Sequence, residues 1–237
     1  MKSAQNKFFL LLVLFCTMLF TATSGQAGDF GKPQELVAKG TVVFKSFMQD
    51  PNMEWFRNNV HQAKGIFIVP QMLRGGFIIG GSGGSGMLVA QDYKTGEWSY
   101  PAFYTMGSVS LGLQIGADAS EIILMVMTDK GINAMLSTEF KLGGDVAVAA
   151  GPVGASAKAQ TADILAFGRS KGLFGGISIE GAVVAPRYEW NNNYYQTQAS
   201  PVDILIKRTV KNPQADDLRS SLPEPQAPSP KTKPLGT

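Results

Sequence analysis

The sequence has very few of the residues that reactive or cross-linked sites require. Its 237 residues include one cysteine, Cys16, and one histidine, His61. Cys16 lies inside an N-terminal apolar run, so a chain that loses this run can form no disulfide, thiolate nucleophile or cysteine metal site. Asn58, Asn59 and Gln62 surround His61 on a predicted helix, which indicates a surface position. We therefore expect no metal and no cofactor.

The sequence also lacks an apolar run long enough to span a membrane. The longest run, residues 8–20, is 13 residues, or about 20 Å of helix against a hydrocarbon core of about 30 Å. Lys2 and Lys7 precede this run, and small residues follow it as far as Ala27. This pattern is typical of a signal peptide, which we assign to residues 1–27, with an uncleaved anchor as the alternative. We expect an exported protein, periplasmic or associated with an envelope membrane.

Strong net charge is absent as well. Without residues 1–27 the chain has 19 basic and 18 acidic residues, and the excess of basic residues lies after residue 206. A slightly acidic body argues against a nucleic-acid partner, because nucleic-acid binders gain most of their affinity by neutralising phosphates. The carboxylates are scattered singly among the predicted strands, so no catalytic pair is indicated. We therefore predict that the chain is not an enzyme.

The C-terminal 27 residues differ in composition from the rest of the chain. Six prolines occur there, and large apolar side chains are almost missing. Such a segment buries too little surface to offset the entropy lost on ordering. We predict a single domain over residues 28–210 and a disordered, proline-rich tail over residues 211–237.

Two kinds of pattern divide the predicted domain. Apolar residues at spacings of three, four and seven predict an amphipathic helix over residues 33–49 and a shorter helix over residues 52–63. From residue 66, short apolar stretches alternate with glycines, which predicts antiparallel strands. Residues 121–127 show no polar alternation, so this strand needs cover on both faces. The predicted fold class is α+β, with a strongly curved, glycine-rich antiparallel β-sheet or small barrel, N-terminal amphipathic helices and one or two packed helices.

Two short motifs could carry chemistry. The spacing G-x-G-x-x-G occurs over residues 81–86, but it leads into a predicted strand and not into the helix that a dinucleotide site requires. Residues 169–176 form a basic turn in which two cations, Arg169 and Lys171, adjoin the apolar pair Leu173 and Phe174. This turn suits either an anionic lipid headgroup beside acyl chains or an ordinary solvated hairpin tip.

Several motifs together resemble the SYLF domain. They are AKGIFI at 63–68, GGF at 75–77, GGSG at 83–86, WSYP at 98–101, GGDV at 143–146, AGPVG at 150–154 and SKGLFGGISIEG at 170–181. The resemblance runs from about residue 30 to residue 207. The last motif is the most specific of the set.

The resemblance implies a binding module without catalytic residues. Eukaryotic SYLF proteins bind phosphoinositides, and yeast members joined to SH3 domains also bind actin filaments. In those relatives an N-terminal amphipathic segment and basic residues are thought to touch the membrane. The corresponding segment here is residues 33–49, which implies headgroup contacts from Lys32, Lys39 and Lys45. It also implies membrane insertion by Val43, Phe44 and Phe47.

These observations predict a non-catalytic module that binds anionic phospholipid or a phosphoinositide-like lipid at a membrane surface of the cell envelope. An export signal would put actin out of reach, so membrane lipids are the expected partners. The alternative is a structural or protein-interaction module of the envelope without lipid dependence. The apolar face of the helix over residues 33–49 either inserts into a membrane or covers the protein's own sheet.

Overall fold

The N-terminal part of the fold is helical. The structure is a computed structural model that describes residues 32–76, 79–92, 94–111, 116–151, 162–170, 173–174 and 179–224. Helix α1 spans Lys32–Gln49 and ends where Asp50 caps the 3₁₀ turn Pro51–Met53, since proline cannot continue a helix. Helix α2 (Glu54–Asn59) and a second 3₁₀ turn (Val60–Gln62) follow. The predicted signal peptide lies outside the described residues.

The core of the fold is one curved sheet of nine strands within the described residues. The spatial order is β5-β9-β3-β2-β1-β4-β7-β6, and β8 pairs with β7. All pairings are antiparallel except that of β6 with β7. The sheet curls into a half-barrel, which confirms the predicted fold class. The strands are β1 (Gly65–Gly76), β2 (Ile79–Ala90), β3 (Ala102–Leu111), β4 (Gly116–Val126), β5 (Phe140–Lys141), β6 (Val148–Ala150), β7 (Ile164–Ser170), β8 (Leu173–Phe174) and β9 (Val183–Pro186).

Helices and turns cover both faces of this sheet. Helix α1 packs on the first face, where Gly40 lies against Met87 and Ile68. Helix α3 (Asp129–Met135) lies on the second face, where the Tyr104 hydroxyl donates to the Met135 carbonyl at 2.7 Å. Because both faces are covered, residues 122–126 of β4 are all buried, as the missing alternation predicted. Two further helices are α4 (Tyr188–Tyr195) and α5 (Pro201–Leu205).

Gly86 of β2 allows two aromatic rings, one from β1 and one from β3, to meet over β2 on the same face of the sheet. Phe67 and Tyr104 make an edge contact with ring centroids 5.8 Å apart. A Cβ on Gly86 would lie 2.6 Å from the Phe67 ring and 2.9 Å from the Ile68 carbonyl oxygen. Glycine is therefore required by close packing. The G-x-G-x-x-G spacing lies wholly inside β2 and forms no strand-to-helix turn.

The C-terminal segment corrects one prediction. We expected residues 211–237 to be disordered, but the 3₁₀ turn Pro213–Ala215 and helix α6 (Asp216–Ser221) pack on the domain. Ala215, Leu218 and Leu222 are buried, and they recur at spacings of three and four, which gives even this polar segment one apolar stripe. Residues 225–237 lie outside the described part of the chain.

Contacts with two aromatic residues secure this segment. Trp98 Nε1 donates to the Pro223 carbonyl at 2.8 Å. The Arg219 guanidinium lies 4.3 Å from the centroid of the Tyr100 ring, and the Tyr100 hydroxyl donates to Asp216 at 2.9 Å. The composition of the segment could not reveal these partners, because they belong to the β2–β3 connection more than 100 residues away.

Replacing Gly86 by alanine tests the close packing in β2. We expect Gly86→Ala to lower the free energy of unfolding by about 1–3 kcal/mol, because the methyl group collides with a ring and a carbonyl. Gly83→Ala is the matched control, since its Cβ would meet nothing nearer than 3.9 Å. Denaturant unfolding of both variants measures the difference. Equal stabilities would contradict the account of Gly86.

Truncating Leu218 tests whether the C-terminal segment is part of the folded domain. We expect Leu218→Ala to lower the free energy of unfolding by about 2–4 kcal/mol, because its side chain is fully buried. Ser220→Ala in the same helix is exposed and should change the unfolding free energy by less than about 0.5 kcal/mol. Thermal or denaturant unfolding measures both. If the segment were disordered, neither variant would lower the free energy of unfolding.

Candidate functional site

A hollow lies between α1 and the sheet. It has a volume of about 810 Å³. One wall is the exposed side of α1, and the floor comes from β1, β4 and the end of β7. The lining residues are Ala38, Lys39, Val42, Val43, Pro70, Gln71, Ala119, Ser120, Glu121 and Arg169. Most of these side chains are apolar or small, so the hollow suits an apolar group.

A bulge in β1 lies in the floor of this hollow. The register of β1 shifts between Ile68 and Gln71 against β2, and between Val69 and Met72 against β4. An extra residue bends a strand and increases its twist, and Pro70 within the bulge has no N–H to donate to the ladder. Beyond the bulge, Leu73 of β1 is 55% exposed.

A second hollow of about 330 Å³ continues the first along α1. It shares Lys39, Pro70 and Gln71 with the first hollow. It adds residues from the start of α1, the β1–β2 pair and α4, namely Lys32, Glu35, Leu36, Leu73, Gly83, Gly84, Ser85 and Trp190. We call the two hollows together the α1 groove.

Charged side chains flank this groove on α1. The Lys39 Nζ lies 2.6 Å from a Glu35 carboxylate oxygen, and both side chains are more than half exposed. The hydrogen bond from Lys39, followed by its positive charge, holds the pKa of Glu35 below its usual value. Exposed ion pairs of this kind contribute little to stability, because water and salt screen the two charges. Lys39 can therefore exchange Glu35 for another anion at little cost.

Arg169 has a different environment from the one that we predicted. Its guanidinium donates to Glu121 and to the Ser46 hydroxyl, approaches Asp50 at 3.4 Å and lies 5.0 Å from the centroid of the Phe47 ring. Its side chain is only 16% exposed. Arg169 thus joins β7 to α1 and β4, and its charge is already matched by two carboxylates. It shapes one end of the groove and holds α1 on the sheet.

The predicted inserting residues lie in the core, which corrects that part of the sequence reading. Val43, Phe44 and Phe47 are 5%, 0% and 0% exposed. Both phenylalanines make edge contacts with Phe56 of α2, with centroids 6.1 Å apart. The apolar face of α1 can pack against only one surface at a time. Here it packs against the surface formed by the sheet and α2. These three side chains cannot insert into a membrane unless α1 leaves the domain.

The structure brings together only some of the predicted lipid contacts. Lys39 and Val43 line the first hollow, and Lys32 lines the second. Lys45 points elsewhere, since its Nζ is 2.7 Å from Asp217 of α6. Residues 169–170 pair with 173–174 as a hairpin. Lys171 and the side chains of Leu173 and Phe174 lie outside what the structure describes.

Sequence reasoning missed the uncovered apolar residues of the groove. Val42 is exposed on α1, and Leu73 and Ala119 are exposed on the sheet side. Val42 carried a weak signal, because it falls outside the spacing of the buried stripe.

Two classes of site find no support among the described residues. No three histidine, cysteine, aspartate or glutamate side chains in that part of the chain lie close enough together to hold a metal ion. None of the helices described is both long enough and apolar enough to span a membrane.

Known proteins with related sequences include yeast and mammalian examples. The chain is 32% identical over 196 residues to Protein YSC84 of Saccharomyces cerevisiae, covering 76% of this chain and 41% of that protein. It is 34% identical over 196 residues to LAS seventeen-binding protein 3 of the same yeast, covering 76% and 42%. It is 32% identical over 165 residues to human SH3 domain-containing YSC84-like protein 1, covering 67% and 48%. The chain thus spans less than half the length of these relatives.

A family model gives the same result. The model described as "Ysc84: Las17-binding protein actin regulator" matches residues 107–224. This range runs from β3 to the end of the packed C-terminal segment and contains three of the motifs that indicated a SYLF domain. The chain belongs to the Ysc84 family, the SYLF family of the sequence analysis.

Proposed function

We propose that this chain is a non-catalytic module that binds anionic lipid at a membrane surface through the α1 groove. The observation that carries this proposal is the groove itself, where the uncovered side chains of Val42 and Leu73 lie beside the lysines of α1. Lipid headgroups supply the anion for such lysines, and acyl chains supply the apolar partner. Phosphoinositide-like lipids are included in this ligand class.

The apolar and ionic contributions are comparable in size. A lysine near an anionic surface contributes about 1 kcal/mol, and fully burying a valine or leucine side chain contributes roughly 1.5–3 kcal/mol. Val42 and Leu73 are already partly covered, so each gives less than that full amount. Lys32 and Lys39 therefore determine much of the preference for anionic over neutral lipid.

The burial of Phe44 and Phe47 constrains how the protein docks. Releasing α1 would expose two phenylalanines that α2 and the sheet now cover, and exposing a buried phenylalanine side chain to water costs roughly 1.5–3 kcal/mol. Docking through the groove exposes neither ring. We therefore propose that α1 stays on the sheet and presents its exposed side to the membrane.

We further propose that the protein acts at an envelope membrane after export. The basis for this is the N-terminal pattern of Lys2, Lys7 and the apolar run at residues 8–20. Detection of a chain that begins near Gly28 in an envelope fraction would support this location. Recovery of the full-length chain in the cytosol would contradict it.

A protein-interaction role without lipid is the second candidate. The observation in its favour is that the family description and one relative's name refer to binding of a protein, Las17. Under this alternative the groove would contact a polypeptide, and the charge of a membrane would not matter. Vesicle binding separates the two candidates.

Sedimentation with vesicles tests the lipid proposal. We expect the protein to sediment with vesicles of phosphatidylglycerol and phosphatidylcholine, and to stay in solution with phosphatidylcholine alone. Lys32→Gln/Lys39→Gln should weaken binding by roughly tenfold to thirtyfold, from about 1 kcal/mol for each lysine. The double variant Lys94→Gln/Lys207→Gln removes two positive charges that lie away from the groove. It should bind the vesicles as tightly as the unaltered protein. The proposal would be contradicted if the protein sedimented equally with both vesicle types, or if both double variants lost vesicle binding to the same extent.

A further inference from the structure

We propose that the α1 groove holds one medium-chain fatty acid, with its hydrocarbon chain along α1 and its carboxylate at Lys39 and Lys32. This inference rests on the proposed function and names a ligand for the same site. It differs from surface docking, because a fatty acid would occupy the groove as a single dissolved molecule without any bilayer.

The size and lining of the groove suit one flexible apolar chain. Ligand pockets commonly measure about 300–1,000 Å³ and have mostly apolar walls, and the larger hollow of about 810 Å³ falls in that range. Its walls include Ala38, Val42, Pro70 and Ala119. The groove follows α1 from Lys32 to Val43, a length of about 17 Å at ~1.5 Å per residue. An elongated hollow of this kind fits a hydrocarbon chain better than a compact ring system.

The charges around the groove indicate the orientation of the fatty acid. At the β7 end, Arg169 is neutralised by Glu121 and Asp50, so a carboxylate there would meet two like charges. At the other end Lys39 has only an exposed partner, Glu35, and Lys32 lies at the start of the same helix. The carboxylate of the fatty acid is therefore favoured at the lysine end, and its hydrocarbon chain extends towards Ala119 and Arg169.

The backbone around the groove argues against a peptide as the occupant. Peptides commonly bind by adding a strand to an open sheet edge. Strand β1 forms the floor, and both of its edges are already paired, with β2 and with β4. A peptide in the groove would leave its own N–H and C=O groups without partners along an apolar wall, which is costly. A hydrocarbon chain has no such groups.

Calorimetric titration of the full chain with laurate below its micelle concentration tests this inference. We expect saturable binding of one laurate per chain and no binding of butyrate, which has the same head and almost no chain. Ala119→Trp places an indole in the groove and should weaken laurate binding at least tenfold. Val183→Trp is the matched control, because Val183 is 41% exposed on β9 and does not line the groove. Comparing these two variants also cancels any laurate held by the apolar run at residues 8–20.

A second variant keeps the test decisive if Ala119→Trp does not fold, as judged by circular dichroism. Val42 is 68% exposed, so Val42→Glu should fold, and its charge in the groove should weaken laurate binding at least tenfold. Lys39→Gln should also weaken laurate binding, and Lys94→Gln should not. Absence of saturable binding, or equal binding by groove and control variants, would overturn the inference. Vesicle sedimentation that persists without laurate binding would overturn only this inference, whereas laurate binding without sedimentation would overturn only the proposed function.

Discussion

The packing of α1 on the curved sheet is the constraint on which the rest of the structure depends. Phe44 and Phe47 lie between α2 and the sheet, and Gly40 allows the helix to approach Met87 closely. The bulge in β1 lies in the floor of the apolar hollow between α1 and the sheet, where Pro70 and Gln71 line it. The site therefore depends on how α1 packs against the bulged strand.

Polar contacts from distant parts of the chain reinforce this packing. Arg169 ties α1 to β4 and β7 through Glu121, Asp50 and Ser46. The C-terminal segment adds the ion pair between Lys45 and Asp217 and a hydrogen bond from Gln214 to the Gln34 carbonyl at 3.3 Å. Helix α1 is thus held on one side by the sheet and on the other by α6. Only its exposed edge, with Lys39 and Val42, is left for a ligand.

Most of the fold could be predicted from sequence, because periodicity and glycine spacing reflect local geometry. The helix over residues 33–49, the central strand at 121–127 and the curved antiparallel sheet followed from these patterns. The site was harder, because a helical stripe shows only that Phe44 and Phe47 must be covered and not what covers them. Proline content likewise could not show that Leu218 and Leu222 are buried, or that Trp98 and Tyr100 bind the segment that contains them. These outcomes depend on contacts between residues far apart in the chain.

The central claim is that α1 remains on the sheet while its exposed edge meets lipid. Hydrogen exchange of the α1 amides, with and without vesicles containing phosphatidylglycerol, tests this most directly. The account predicts that residues 36–47 keep their protection when the protein is bound, and that any change is a gain near Lys39 and Val42. Loss of protection along this segment on binding would show that the helix leaves the core, and would contradict the account.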